Sequence, residues 1–103
     1  MTAGPKRRLM DRKELAAAVR ESVRAFAQKV PGRSVELRVP PFVAVQCVEG
    51  PRHTRGTPPN IVETDAATWL ALADGSLVWA DAIADGRVRA SGPRSDLSAF
   101  LPL

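Results

Sequence analysis

One short stretch gathers the residue types that hold anions. In Glu49–Asn60, EGPRHTRGTPPN, Arg52, His53 and Arg55 stand almost side by side, with Thr54 and Thr57 adding hydroxyls. Two guanidiniums and free backbone N–H groups can hold a phosphate or carboxylate when a loop folds them together. The competing reading is a surface loop whose arginines pair with Glu49 or Glu63. Two glycines, three prolines and no apolar residue leave the stretch without regular secondary structure. Ordered loops of this length are a common place for function. Cys47 stands six positions before His53, and each is the single residue of its type. A thiol–imidazole pair is therefore the one nucleophilic arrangement the chain allows. Cys47 shares a strand face with Val43 and Val45, where a buried thiol behaves as a small inert hydrophobe. No catalytic residue and no enzyme activity are expected. A metal centre needs several converging His, Cys or carboxylate ligands, so neither metal nor cofactor is expected. No glycine pattern fits a dinucleotide or P-loop cradle.

The elements that must position these residues follow from periodicity and stop signals. Asp11, with Glu14 three residues on, starts a helix. Leu15, Val19, Val23, Phe26 and Val30 give it one inward stripe, and Pro31-Gly32 ends it. Arg12, Lys13, Arg20, Arg24 and Lys29 lie mostly off that stripe. Such a basic amphipathic helix can lie on a membrane, but its narrow apolar stripe is of ordinary core type. Val35–Val39 alternates as a half-buried strand, and Pro40-Pro41 breaks it. Phe42–Val48 is apolar on both faces and reads as a strand covered on both sides, paired with the first as a hairpin.

The stretch Thr64–Gly92 carries the clearest punctuation. Asp65 is a helix N-cap, Trp69, Leu72 and Ala73 form a stripe, and Gly75 supplies the left-handed stop. Ala80, Ile83 and Ala84 form a second short stripe before Gly86. Arg87-Val88-Arg89-Ala90-Ser91 then alternates as a strand. Leu97, Phe100 and Leu101 make the stripe of a last helix over 95–101. The expectation is an α+β layer: strands near 34–39, 42–48, 60–64 and 86–91, with helices 11–30, 65–74, 79–85 and 95–101 packed on one face.

Composition sets the outer bounds. The 103 residues make one domain over 11–103, preceded by a flexible basic arm over 1–10. Nine of the fifteen Lys and Arg residues fall in positions 1–33 against Asp11, Glu14 and Glu21, so the +4 net charge belongs to the first third. Lys6-Arg7-Arg8 lacks interleaved aromatics, and no nucleic-acid partner is expected. No apolar run is long enough to span a membrane, which leaves transient membrane contact. One cysteine and no secretory pattern suggest a cytoplasmic protein.

Gly75, Leu77, Ala82, Gly86, Val88 and Gly92 stand at the spacing of the C-terminal half of sterol carrier protein 2 domains. The chain from about residue 11 to 103 resembles the short stand-alone bacterial orthologues of that domain. The family usually has one more strand before the one near Asn60; here the Gly50–Pro59 loop takes its place. The resemblance implies a non-enzymatic domain that binds or transfers a lipid or acyl ligand in a helix–sheet space. By it, Val23, Phe26, Trp69, Leu72 and Ile83 line that space, and Phe100 and Leu101 gate it. The alternative is an interaction domain of the same fold with a filled core, acting through the Gly50–Pro59 loop. A cavity costs roughly 24 cal/mol per Å³ in core-truncation series, so a chain this short gains stability by filling it.

Overall fold

A computed structural model describes residues 10–51 and 60–103. The arm residues 1–9, and with them Lys6-Arg7-Arg8, lie outside that description. In chain order the elements are α1 (Arg12–Lys29), β1 (Val35–Val39), β2 (Val43–Cys47), β3 (Asn60–Thr64), α2 (Ala66–Asp74), α3 (Trp79–Ala84) and β4 (Val88–Ser91), followed by a 3-10 turn at Ser98–Phe100. The strands form one mixed sheet in the order β2-β1-β3-β4. β1 pairs antiparallel with β2 and parallel with β3, and β3 pairs antiparallel with β4. The expected α+β layer is the observed one.

Local chemistry accounts for most boundaries. Asp11 Oδ1 accepts the Glu14 N–H at 2.8 Å, which satisfies one of the free donors of the first turn of α1. Val19, Val23, Phe26 and Val30 of the expected stripe are buried, and Leu15 packs partly buried against them. Asp65 caps α2 through the Thr68 N–H at 2.8 Å, and Gly75 ends that helix at φ 85°. The hairpin between β1 and β2 turns through Pro40-Pro41, whose peptide is cis, and the Phe42 N–H closes it on the Val39 carbonyl at 2.9 Å.

Helices cover one face of the sheet. Val35, Leu37 and Val39 of β1 and Asn60, Val62 and Thr64 of β3 point into that layer, while their alternates do not. The other face carries Glu36, Arg38, Glu63 and Arg89. Arg38 pairs with Glu36, and Arg89 pairs at 2.9 Å with Glu63 directly across the ladder. An apolar residue there would meet water, so charge is the stable choice.

Three expectations fail, each for a definable reason. β2 is not covered on both faces: it is an edge strand, and Ala44 and Gln46 are exposed. Of its second apolar row only the small Ala44 is left in water, while Phe42 and Val48, beyond the two strand ends, pack on the core. In α3 the inward pair is Trp79 and Ala82, whereas Ala80, Ile83 and Ala84 are exposed. The indole is by far the largest group on that short helix, and its burial sets the helix phase. The last helix over 95–101 is only the Ser98–Phe100 turn. Asp96 Oδ1 accepts the Ser98 N–H as a cap would, but Leu101 is already extended (φ −116°, ψ 148°) ahead of Pro102, whose ring keeps the preceding residue out of helical geometry, so the turn does not grow.

A compact hydrogen-bonded knot closes the sheet at the start of β1. Val48 leaves β2 at φ 63°, a conformation rare for a β-branched residue. Its N–H donates to the Val30 carbonyl at 2.9 Å, and its carbonyl accepts the Ser34 N–H and the Ser34 hydroxyl. Asn60 Nδ2 donates to the Ser34 carbonyl at 2.7 Å, and Asn60 Oδ1 accepts the Arg94 N–H at 2.9 Å. Ser34 and Asn60 are both buried with their polar groups paired.

Candidate ligand-binding site

The apolar side chains singled out by resemblance converge between α1, α2 and the sheet. Val23 and Phe26 of α1 and Trp69 and Leu72 of α2 are at most 1% exposed and belong to one cluster. The Phe26 and Trp69 rings meet edge to face, with centroids 5.5 Å apart and planes at 89°. Phe100 also meets Phe26 edge to face, at 6.4 Å and 77°. Such contacts exceed plain area burial by about 1 kcal/mol each. Phe100 and Leu101 are partly buried and pack on the rim of the cluster. The segment that carries them is tied back where the Leu103 N–H donates to the Ala73 carbonyl at 2.9 Å, with Pro102 against Gly75.

Ile83 is the exception. It is 40% exposed on the outer side of α3 and does not line this region. Residues not among the expected lining take part instead. Leu97 is fully buried in the same cluster, and Trp79 and Ala82 fill the α3 side. Ser22 accepts the Trp69 indole N–H at 2.8 Å and donates to the Val19 carbonyl. A serine one residue before an inward valine was the available signal: it is polar, yet stands on the helix flank that meets α2.

The polar candidates behave differently. Arg52, His53 and Arg55 lie outside the described residues. Glu63, one partner considered for those arginines, is engaged by Arg89. Cys47 is fully buried, and burial pushes its thiol up to about 11. A thiol held neutral at pH 7 is a poor nucleophile. Among the described residues no three His, Cys, Asp or Glu side chains come together as a metal site would require.

Besides a groove along α1 lined by Ala17, Arg20, Glu21, Arg24, Ala25 and Gln28, two open grooves mark the described surface. One, of ≈ 400 Å³, runs between α1 and the β1–β2 turn and is lined by Arg12, Lys13, Ala16, Arg20, Pro41 and Phe42. The other, of ≈ 540 Å³, lies at the carboxyl ends of the parallel strands β1 and β3, beside Asp65, Arg87 and Arg89. There Arg87 Nε donates to Thr68 Oγ1 at 3.3 Å, and Thr68 Oγ1 donates to Asp65 Oδ2 at 2.8 Å. Burial raises the Asp65 carboxyl, but the two Thr68 hydrogen bonds and the Arg87 charge outweigh it and hold the group below its ordinary value.

Residues 11–103 match a family model described as bacterial SCP ortholog. The chain belongs to that family. A search of curated proteins returned no match. Membership fits the element order of this bacterial SCP ortholog, and it covers the whole domain rather than one motif. In this SCP ortholog no described helix is long and apolar enough to cross a membrane.

Proposed function

We propose that this bacterial SCP ortholog is a non-enzymatic carrier that takes up a lipid or other hydrophobic ligand between its helices and sheet. Family membership supports the reading, and one observation carries it: the Phe26–Trp69 pair is closed on one side by Phe100. Phe100 and Leu101 sit in a one-turn 3-10 element followed by an extended C-cap at Leu101. Three residues in such a turn cost little to displace. In this reading an acyl chain enters as that segment swings away, and Val23, Phe26, Trp69 and Leu72 receive it. The buried, neutral Cys47 thiol supports a role without covalent chemistry.

Native mass spectrometry of freshly purified protein, followed by titration with a fluorescent fatty acid, tests the proposal. A co-purified lipid, or saturable micromolar quenching of Trp69 and Trp79, is the expected result. A clean apo mass with no saturable binding would sink it.

A second reading has its own support. Val23, Phe26, Trp69 and Leu72 already pack on one another with almost no exposure, as a filled core would. The chain then acts as an interaction domain with a protein partner. Pull-down of one stoichiometric protein by lipid-free material favours this reading.

A further inference from the structure

We propose that the groove between α1 and the β1–β2 turn is a site for a phosphate group carried on a small organic body. The inference rests on how charge is arranged there. The groove is lined by three cationic side chains, Arg12, Lys13 and Arg20, and by the apolar Ala16, Pro41 and Phe42, with no carboxylate among them. Glu14 and Glu21 belong to the same helix but do not line it. Arginines on the open sheet face find carboxylates, as Arg38 does with Glu36 and Arg89 with Glu63. Among the described residues Arg12, Lys13 and Arg20 have no such partner.

Two of the cations are held in place by the same residue. The Arg12 guanidinium lies over the Phe42 ring, 5.3 Å from its centroid. Arg20 Nε donates to the Phe42 carbonyl at 3.2 Å. Phe42 thus draws two like charges toward one another while leaving most of their donors unused. A guanidinium has five N–H groups in a planar fork, of which Arg20 spends one here. The Phe42 ring attracts Arg12 through its charge rather than through a hydrogen bond. Fixing these forks in advance lowers the ordering cost of binding an anion.

A phosphate monoester fits this set better than a carboxylate. It carries close to two negative charges and three strong acceptor oxygens, enough to engage all three cations. Ala16 and Pro41 offer the attached organic body an apolar wall, and ≈ 400 Å³ suits a small ligand. The phosphate has two sources, a soluble phosphate ester or the headgroup of an anionic lipid, and the experiment separates them.

Calorimetric titration of the full chain with glycerol 3-phosphate at low salt reads the soluble source. Cosedimentation with phosphatidylcholine vesicles, with and without phosphatidic acid, reads the headgroup source. Saturable one-site binding in the first assay, or phosphatidic-acid-dependent binding in the second, is expected. Arg12→Ala and Arg20→Ala are each expected to weaken it about tenfold, the scale of one charge-assisted contact. Arg24→Ala removes an exposed cation of the same helix outside the groove and is expected to leave affinity unchanged. Binding in neither assay, or equal losses in Arg12→Ala, Arg20→Ala and Arg24→Ala, would overturn the proposal. Circular dichroism of each variant separates lost binding from lost fold.

Discussion

The indole N–H of Trp69 donates to Ser22 Oγ at 2.8 Å, joining α2 to α1 through a polar contact at the edge of the apolar cluster. Trp69 is 1% exposed, so its N–H has no water to turn to. Ser22→Ala is expected to destabilise the protein by about 1–3 kcal/mol, the cost of an unpaired buried donor. Urea denaturation measures it. Adding Trp69→Phe to Ser22→Ala is expected to cost less than the two single losses summed, because the orphan donor is gone.

Asn60 uses both ends of its amide, one on the Ser34 carbonyl and one on the Arg94 N–H. Asn60→Asp keeps the acceptor but turns the donor into a second acceptor facing a carbonyl. We expect a loss of about 2 kcal/mol at neutral pH, partly recovered on acidification, beginning above the ordinary aspartate range because burial against a carbonyl favours the protonated carboxyl. Thermal melts from neutral to acid pH check it. A pH-independent loss would mean the amide donor matters little.

Gly32 stands where no other residue fits. A Cβ at that position would lie 2.1 Å from the Val48 carbonyl oxygen, at φ 149°. The obstructing atom is backbone and is itself bonded to Ser34, so it cannot move aside cheaply. Gly32→Ala is expected to cost about 3 kcal/mol or more. Gly75→Ala, which meets only Pro102 at 3.4 Å, is expected to cost about 1 kcal/mol. Comparable midpoints in denaturant for the two variants would count against the close approach.

Asp65 makes folding pH-dependent, with a sign set by its environment. Its carboxyl is lowered from 3.8 in the folded chain, so the folded state holds the proton less tightly than the unfolded state. The stabilisation is complete above 3.8 and is lost as pH falls through the lower folded value. Asp65→Asn is therefore expected to flatten the stability curve below about pH 4 while costing little there relative to wild type. A variant curve that keeps the wild-type slope in that range would show that Asp65 is not the group responsible.

The sequence made the architecture legible where size and periodicity agreed. The 3- and 4-residue steps from Val19 to Val30 named the buried face of α1, and the alternation in Val35–Val39 named that of β1. Both rest on local rules that the fold does not override. α3 shows the opposite case: Ala80, Ile83 and Ala84 form a valid stripe, but Trp79 and Ala82 form another, and only packing decides between them. At the site, Phe26, Trp69 and Leu72 were readable as large inward residues. Their contact with Phe100, and the meeting of Arg12 and Arg20 at Phe42, join positions far apart in sequence. Periodicity is blind to such pairs.

Ser34 holds the end of β2 through Val48 and the start of β3 through Asn60. The two ends of the intervening segment are therefore pinned to one residue, whatever its length. Removing the Ser34 hydroxyl loosens a tie on one neighbour of the first strand, while its carbonyl still holds the other. One small residue thus acts as a clasp between two strand ends that are far apart in sequence.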